Sequence, residues 1–383
     1  MIIGIDARVL QEGNGGVFVY TKSLLQHLIS SSKRHQFKLF TNKYKKKPSK
    51  ILDELSDYSN VKRYSYRFPN KFLNASLKFT RWPNIDTLIK GCDVLFFPTM
   101  MYSAWSKSIP VVITMHDISF EIFPEFFTRR QQIWHNLMNP KSLCHSCTKI
   151  ISVSESTKRD LVRAYGLEPK KIKVVHSGID KIFRPILDKD ECSRIREKYK
   201  LPDVPYIIQE GTIQPRKNYI GTLEAFTFWQ SNYSTEASIY HLLLVGHKGW
   251  KSAKFLRLVR KSPFNDKIHV ISDVATHDLP VLYSLSSVSV FPSFYEGFGF
   301  PPLEAMASAV PVIAGANSSI GEIVGDAGLL VDPYRVDDLV TAIRSIVNDE
   351  VLAKSLLAKG LTRTVEFNWE RTSKDTLRVL ESV

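Results

Sequence analysis

Short apolar runs alternate with stretches of helical periodicity along almost the whole chain. The first series of runs predicts strands at residues 2–5, 38–41, 94–97, 111–115, 150–153 and 172–175. A second series predicts strands at residues 206–209, 241–245, 268–271, 288–291, 310–314 and 329–331. Continuous apolar strands separated by helices are typical of parallel sheets covered by helices on both faces. The pattern therefore predicts an α/β protein.

The two series are separated by a segment with a different composition. Residues 185–205 begin and end with proline and contain the charged run Asp-Lys-Asp-Glu at 188–191, which predicts a hinge followed by a helix. We expect Rossmann-like domains over residues 1–185 and 186–365, with a cleft where the carboxyl ends of their strands meet. Helical spacing from Trp369 to Leu380 predicts a last helix within residues 366–383.

Composition narrows the class of protein. A chain of 383 residues is long for one hydrophobic core, and 44% hydrophobic with 23% charged residues argues against disorder. No run reaches the roughly 18–20 apolar residues of a membrane span, and the start Met-Ile-Ile-Gly-Ile-Asp predicts a strand rather than a signal peptide. Four cysteines suit a reducing cytosol. The net charge of +14 indicates an anionic partner: nucleic acid, a membrane surface or a phosphate-bearing small molecule.

Two candidate phosphate-binding loops follow predicted strands. Gly15 and Gly16, after Asn14, precede a helical stretch, where glycine allows close backbone approach and helix-start N–H groups favour an anion. Their spacing matches neither a dinucleotide fingerprint nor a P-loop, so a plain strand-to-helix turn is the alternative. In Gly-Thr-Ile-Gln-Pro-Arg-Lys-Asn (211–218), Arg216 and Lys217 suit a diphosphate; the alternative is a solvated basic turn.

A third candidate combines two carboxylates with a glycine-rich turn. Glu296 lies on the predicted loop after strand 288–291, and Glu304 lies on a helix that opens near Pro302. Both carboxylates can face one cleft and accept hydrogen bonds from sugar or ribose hydroxyls. For Glu304 alone, an acid placed favourably in the first turn of a helix is the alternative.

The spacing Glu296-x7-Glu304, with Gly-Phe-Gly-Phe-Pro-Pro-Leu between the two acids, resembles the E-x7-E motif of the retaining glycosyltransferases of family 4. The segments 211–218, 153–161 and 325–333 resemble three further regions of that family, so the resemblance covers nearly the whole chain. It implies the α/β fold called GT-B, with two Rossmann-like domains facing across a deep cleft. It also implies that the C-terminal helix returns to the N-terminal domain.

The resemblance implies roles for individual residues. Arg216 and Lys217 would hold the donor diphosphate and stabilise the departing nucleotide in place of a metal, so neither metal nor cofactor is expected. Glu296 would contact the transferred sugar in a front-face substitution rather than act as a covalent nucleophile. The implied catalytic set is His116, Asp117, Arg216, Lys217 and Glu296, with His116 either catalytic or only sugar-binding. The implied donor-binding set is Gly15, Gly16, Arg216, Lys217, Asp273, Val274, Glu296, Gly297, Phe298, Gly299, Phe300, Leu303 and Glu304.

The sequence departs from the family pattern at two places. Gln209-Glu210 precedes Gly211 where the family commonly has apolar or small residues, and Gly321 replaces a usual proline. We expect neither to touch the main motifs, although Gly321 could loosen a loop near the donor.

Basic and aromatic residues crowd part of the N-terminal half. The basic ones are Lys43, Lys45, Lys46, Lys47, Lys50, Arg63, Arg67, Lys71, Lys78 and Arg81. The aromatic ones are Tyr64, Tyr66, Phe68, Phe72, Phe79 and Trp82. Such a mixture can bind RNA or an anionic membrane, and surface lysines with core aromatics are the alternative. Given the resemblance, we expect these segments to bind the anionic surface at the inner face of the plasma membrane. We expect no nucleic-acid partner.

The leading hypothesis is therefore a retaining hexosyltransferase. By resemblance it moves mannose from GDP-mannose to a polyprenyl-diphosphate-linked or polysaccharide acceptor in O-antigen-like synthesis. A transferase using a UDP-sugar, a sugar-nucleotide epimerase and a basic RNA-binding protein remain the alternatives.

Overall fold

The computed structural model describes residues 1–11, 13, 15–43 and 49–383. Asn14 of the first glycine motif and Lys45, Lys46 and Lys47 of the basic loop lie outside the described residues. The chain forms two compact units and passes from one to the other after Ile118, Thr128, Gly178 and Phe367. The first unit contains Met1–Ile118, Arg129–Gly178 and Asn368–Val383, and the second contains Ser119–Thr128 and Ile179–Phe367.

The described strands are all short and mostly apolar. In chain order they are β1 (Ile2–Asp6), β2 (Gln36–Asn42), β3 (Val61–Tyr66), β4 (Val94–Phe97), β5 (Val111–Met115), β6 (Lys149–Ser152), β7 (Ile172–Val174), β8 (Tyr206–Glu210), β9 (His241–Val245), β10 (Ile268–Ile271), β11 (Ser286–Phe291), β12 (Val312–Gly315) and β13 (Gly328–Val331). All twelve predicted strands are present, with bounds within two residues of those predicted.

Helices connect most of the strands. In chain order they are α1 (Gly16–Ser31), α2 (Lys50–Ser56), α3 (Asn70–Phe79), α4 (Ile85–Leu88), α5 (Ser119–Ile122), α6 (Arg129–Met138), α7 (Pro140–Ser146), α8 (Glu155–Tyr165), α9 (Lys189–Tyr199), α10 (Tyr219–Asn232), α11 (Ser234–Ala237), α12 (Ala253–Lys261), α13 (Leu279–Ser284), α14 (Phe300–Ala307), α15 (Ile320–Val324), α16 (Val336–Asn348), α17 (Glu350–Thr364) and α18 (Trp369–Glu381). None of them, within the described ranges, has the length and hydropathy of a bilayer-spanning helix.

The first unit is built on a seven-stranded parallel sheet in the order β3-β2-β1-β4-β5-β6-β7. β3 was not predicted as a strand, because Lys62 and Arg63 interrupt its apolar pattern. Its position at the edge of the sheet explains that composition, since edge strands tolerate and often need charged side chains. Tyr64 and Tyr66 therefore belong to a strand.

The second unit is built on a six-stranded parallel sheet in the order β10-β9-β8-β11-β12-β13. The strand order reverses between β8 and β11, and the loops that follow these two strands carry the candidate residues Arg216 and Glu296. In parallel sheets, ligands bind at the carboxyl ends of the strands beside such a reversal. The predicted α/β class with two Rossmann-like sheets is thus confirmed.

The last helix belongs to the first unit, as predicted. α18 packs against α1, and the buried Trp369 ring lies 5.9 Å from the ring of Tyr20, centroid to centroid. Thr372 Oγ1 donates to the carbonyl of His176 at 2.8 Å. The start of the helix also sits tightly against Gly178, where an added Cβ would lie 2.3 Å from the Trp369 nitrogen.

Candidate active site

The centre of the candidate site in the second unit is a buried group of three charges. Arg216 Nη1 lies 2.7 Å from Glu296 Oε2, and Lys217 Nζ lies 2.8 Å from Glu296 Oε1. All three side chains are at most 13% exposed. Two cations and one carboxylate leave one net positive charge in this place.

The charge states of these groups follow from their contacts. Burial by itself raises the pKa of Glu296, but Arg216 and Lys217 more than offset it and hold the pKa below its ordinary value. Arg216 is also anchored by donation from Nη1 to the Tyr295 carbonyl. Lys217 Nζ lies 4.4 Å from the centroid of the Phe291 ring, within cation–π distance. Glu296 is thus ionised at neutral pH and both cations are held close to it.

The loop that carries Arg216 and Lys217 is fixed by its neighbours. The residues form a short 3-10 turn, Pro215–Lys217, which ends at Asn218 in the left-handed region with φ 55°. Asn218 then caps α10, because its Oδ1 accepts from the Gly221 nitrogen at 3.2 Å. Its Nδ2 donates to the Pro333 carbonyl at 2.7 Å. The turn therefore presents its two basic side chains in a defined orientation.

The Glu296 loop is held by two serines that sequence reasoning missed. The Glu296 nitrogen donates to Ser318 Oγ at 2.9 Å. Ser319 Oγ donates to the carbonyls of Glu296 at 2.8 Å and Phe298 at 2.6 Å. Both serines immediately precede α15, more than twenty residues along the chain, and nothing local in the sequence marks them as partners of the loop.

The remaining members of the glycine-rich segment have mixed surroundings. Gly297 and Phe298 are buried, and Phe298 packs on Phe367 with ring centroids 6.0 Å apart. Gly299 precedes α14 with φ 122°, a conformation that side chains rarely allow. Phe300 is half-buried at the first position of that helix, and the Leu303 side chain is fully buried in the core. The side chains of Phe298 and Leu303 therefore contribute packing to the site.

Glu304 lies in the second turn of α14, so placement in a first helical turn does not explain it. Tyr283 Oη donates to Glu304 Oε2 across 3.4 Å. Burial raises the pKa of Glu304 well above its ordinary value, and the nearby Glu210 carboxylate raises it further. A half-buried carboxyl that accepts from a tyrosine hydroxyl and has a second acid near it can receive further hydroxyl groups from a ligand.

Gln209 and Glu210 interact with residues of the main motifs, so the expectation that they do not touch these motifs is wrong. Gln209 Nε2 donates to the Lys217 carbonyl at 2.8 Å. Glu210 ends β8 and interacts electrostatically with Lys217 and Glu296. Two polar residues at the end of an otherwise apolar strand were the available signal. Gly321, by contrast, lies inside α15, where the Gly325 nitrogen donates to its carbonyl at 3.0 Å, so it does not loosen a loop.

Asp273 and Val274 follow β10, which is one edge strand of the second sheet; β13 is the other edge strand. Asp273 is in the left-handed region with φ 62°, and its Oδ1 lies 2.9 Å from His247 Nδ1. The Asp273 side chain is exposed and Val274 is half-buried. These residues share the carboxyl edge of the sheet with the charged group, separated from it by β9.

The first unit contains the other candidates. His116 follows β5, and its Nε2 lies 2.9 Å from the Pro98 carbonyl; because a carbonyl only accepts, Nε2 carries the proton of the neutral ring. Burial lowers the pKa of His116, while Pro98 and Asp117 partly oppose that shift. Nδ1 is then the basic nitrogen. Gly15, with φ 88°, precedes α1, and Gly16 begins it; both are exposed.

The basic and aromatic segment divides into buried and exposed parts. Tyr66 stacks on Phe68 with ring centroids 5.4 Å apart, and its hydroxyl donates to the Leu88 carbonyl. Phe72, Phe79 and Trp82 are 77%, 76% and 67% exposed. Among the described residues of this segment, the exposed apolar surface therefore consists of Phe72 and Phe79 on α3 and Trp82 just after it.

Comparison with known proteins extends over both units. Residues 14–181 match the family described as Glycosyltransferase Family 4, and residues 192–361 match the family described as Glycosyl transferases group 1. O-antigen chain mannosyltransferase B of Escherichia coli is 32% identical over 266 residues, which cover 70% of this chain and 68% of the relative. Serotype-specific mannosyltransferase WbdA of Escherichia coli is 25% identical over 238 residues, which cover 62% of this chain but 29% of the relative.

Solved structures share the fold over the full length. Sucrose-phosphate synthase from Thermosynechococcus elongatus has a TM-score of 0.78 at 21% identity and covers 100% of this chain and 98% of its own. Anabaena HepE in complex with UDP-glucose has a TM-score of 0.71 at 17% identity, with coverage of 100% and 99%. At these identities the likeness concerns the fold.

Proposed function

The chain belongs to the family 4 glycosyltransferases, and from that premise we propose that it is a retaining mannosyltransferase using GDP-mannose. The observation that carries the proposal is the convergence of Arg216 and Lys217 on Glu296 at the carboxyl edge of the second sheet. This arrangement supplies fixed positive charge for a diphosphate and a carboxylate for sugar hydroxyls.

The proposed chemistry uses the charged group in two ways. The donor diphosphate engages Arg216 and Lys217, whose charges stabilise the nucleotide as it leaves, without a metal. Glu296 accepts hydrogen bonds from the hydroxyls of the transferred sugar. Substitution occurs on the front face, with the leaving phosphate helping to deprotonate the acceptor.

The other candidate residues complete the proposed donor site. Glu304 accepts hydrogen bonds from the ribose hydroxyls, and Asp273 and Val274 border the nucleobase. His116, with Asp117 beside it, contacts the sugar from the first unit through Nδ1. The backbone at Gly15, Gly16, Gly297, Gly299 and Phe300 offers N–H groups to phosphate or hydroxyl oxygens.

The choice of mannose is supported by the relatives, two of which are named as mannosyltransferases. A UDP-sugar donor is the second candidate, favoured by a neighbour in fold that binds UDP-glucose. A thermal-shift panel of GDP-mannose, UDP-glucose and UDP-N-acetylglucosamine in EDTA separates the two, because a ligand of the native state stabilises it by mass action. Stabilisation by a UDP-sugar alone, or only with added divalent metal, would contradict the proposal.

Activity distinguishes the transferase from a basic RNA-binding protein or an epimerase. We expect Glu296→Ala to abolish transfer while far-UV circular dichroism stays unchanged. Product formed without an acceptor would indicate the epimerase. Salt-sensitive RNA binding that survives Glu296→Ala, with no sugar transfer by the wild type, would indicate the RNA-binding protein.

We also propose that the acceptor is a lipid-linked or polysaccharide glycan at the inner face of the plasma membrane. One relative is named for O-antigen chain synthesis. Phe72 and Phe79 lie seven residues apart on one face of α3, next to Lys71 and Lys78, while Leu73 and Leu77 are buried on the opposite face. An exposed aromatic face beside lysines suits an anionic bilayer surface.

Vesicle sedimentation tests this surface. We expect binding to phosphatidylglycerol-containing vesicles at low salt, weakened at least several-fold by the double change Phe72→Ser and Phe79→Ser. Val351→Ser is the matched control, since Val351 is 80% exposed on α17 of the second unit. Equal binding by all three proteins, or none by the wild type, would contradict this part of the proposal.

A further inference from the structure

The second unit exposes a cluster of basic residues on and just before α12. No Asp or Glu occurs in residues 237–265, while the same stretch contains six Lys or Arg residues. The six are Lys248, Lys251, Lys254, Arg257, Arg260 and Lys261, and all of them are exposed. We call the last four, which lie on the helix itself, the α12 basic face. Neither the proposed donor site nor the proposed membrane contact of α3 uses it.

The helix directs these cations away from the core of the second unit. Phe255 and Val259 on the same helix are buried in that core. At about 100° per residue, the four cations occupy about one third of the helix circumference, centred opposite Phe255 and Val259. Lys254 and Lys261 lie about 10 Å apart along the helix axis. That distance is close to the Debye length of about 8 Å at physiological ionic strength, so the four charges act together on a partner.

The α12 basic face is not neutralised within the described part of the chain. At α16 and α17 exposed cations lie beside acids: Arg335 pairs with Asp337, and Lys354 Nζ lies 2.6 Å from Glu350 Oε1. Among the described residues, no carboxylate forms an ion pair with the four cations of α12. Like charges three and four residues apart repel, and a cation in the first turn opposes the helix dipole. A partner with dense negative charge relieves this repulsion.

We propose that the α12 basic face binds the anionic phospholipid surface of a membrane, and that it does so by charge without inserting apolar side chains. This inference rests on the membrane location in the proposed function and adds a contact made by the second unit. It differs in kind from the contact proposed for α3, where exposed phenylalanine rings insert. The contact of α12 is therefore the more sensitive of the two to salt.

A phospholipid surface fits this face better than a single-stranded nucleic acid does. Base recognition uses exposed aromatic side chains as stacking platforms, and the exposed residues of α12 include none. Trp250, four residues before Lys254, is engaged within the unit: its Nε1 donates to the Phe126 carbonyl at 2.7 Å, and its ring stacks on Phe127. Anionic headgroups need no such platform, because their attraction grows with the number of cations near the surface.

Sedimentation of the full chain with vesicles of phosphatidylglycerol and phosphatidylcholine, at low salt, tests the proposal. The informative protein is the α12 triple variant, which combines Lys254→Gln, Arg257→Gln and Lys261→Gln. Each cation near an anionic surface contributes about fivefold in affinity, so this variant should bind about a hundredfold more weakly than the wild type. It should also melt at no lower temperature than the wild type, because the changes remove like-charge repulsion and leave the buried face of the helix intact.

The matched control removes the same number of charges from the same unit. It combines Arg335→Gln, Lys354→Gln and Lys359→Gln, three positions at which the cation lies within 2.9 Å of an acid. We expect its vesicle affinity to stay within about fivefold of the wild type, since a neutralised cation attracts a surface weakly. Equal losses in the control and the α12 triple variant would show that only net charge matters, and would overturn the proposal.

Three further outcomes separate this inference from the proposed function. If the α12 triple variant binds vesicles as the wild type does and only the double change at Phe72 and Phe79 weakens binding, the membrane location stands and the role of α12 is overturned. If the wild type binds no anionic vesicles, both are overturned. Polyuridylate RNA binding that the α12 triple variant loses while its vesicle binding is unchanged would assign the face to nucleic acid. The thermal shift with GDP-mannose should be the same in the α12 triple variant as in the wild type, and its loss would assign the face to the donor instead.

Discussion

The ion pairs at the centre of the second unit make Glu296→Gln an informative change. Glutamine keeps the shape of the side chain but removes its charge, so Arg216 and Lys217 lose the carboxylate that both contact. In the protein without donor, two cations then remain in a place that is at most 13% exposed. The variant should fold with lower stability, and a diphosphate donor should restore part of the loss.

The size of the loss can be worked from the geometry. Unit charges 2.7 Å apart attract by about 6 kcal/mol at an effective dielectric constant of about 20. Desolvation of the buried groups offsets much of this attraction. Removing one partner of a buried pair typically costs about 3–5 kcal/mol, because the other charge stays buried and unpaired. For a unit of this size, that corresponds to a melting temperature lower by about 10 °C.

Differential scanning calorimetry at pH 7.5, with and without GDP-mannose, measures both effects. We expect the variant to melt about 10 °C below the wild type without donor, and the gap to narrow when the donor is bound. The matched control is Glu350→Gln, whose exposed partner Lys354 lies 2.6 Å away. Exposed pairs contribute about 0–1 kcal/mol, so this control should melt within about 2 °C of the wild type.

The contribution of Glu296 to the free energy of unfolding also depends on pH, and the direction of that dependence is fixed. Because its pKa is lowered in the folded protein, its contribution is present above the pKa of the unfolded chain and is lost as pH falls through the folded value. The gap between wild type and Glu296→Gln should therefore shrink in acid. A gap that is absent at pH 7.5, or that widens on acidification, would refute the reasoning from the buried ion pairs.

Three other changes test separate parts of the structure. Because the pKa of Glu210 is raised in the folded protein, the free energy of unfolding of the wild type falls as pH rises from about 4.5 to about 7. Urea unfolding should therefore show Glu210→Gln to be more stable than the wild type by roughly 2–3 kcal/mol at pH 8 and equally stable at pH 4. Gly178→Ala should cost at least about 1–3 kcal/mol in the same assay, since the new Cβ would meet the Trp369 backbone at 2.3 Å; Gly321→Ala, whose Cβ has ordinary contact at 3.9 Å, should be neutral or stabilising. Asn218→Ala removes the cap of α10 and a residue suited to φ 55°, and should cost about 1–2 kcal/mol, with Asn218→Gly costing less; equal losses in the two variants would refute the conformational part.

The sequence by itself determined the two parallel sheets. Strands buried on both faces need continuous apolar residues, and that pattern is visible without any partner, as in β4 and β9. It failed at β3, because an edge strand can carry Lys62, which is exposed, and Arg63, which pairs with Asp53. The residue types Arg216, Lys217, Glu296 and Glu304 were also readable, since their order and spacing are local properties of two short segments, 211–218 and 296–304.

Only the tertiary structure decided how those residues are paired. Arg216 and Lys217 meet Glu296 across about eighty residues of chain, and Ser318 and Ser319 fix the Glu296 loop from the start of another helix. Such contacts depend on which strands are neighbours, and β8 and β11 become neighbours only through the order of the sheet. The same is true of Glu210. Its raised pKa, which reflects the surroundings of the end of β8 and the charges of Lys217 and Glu296, is a property of the assembled sheet edge and cannot be read from the residue or its neighbours in sequence.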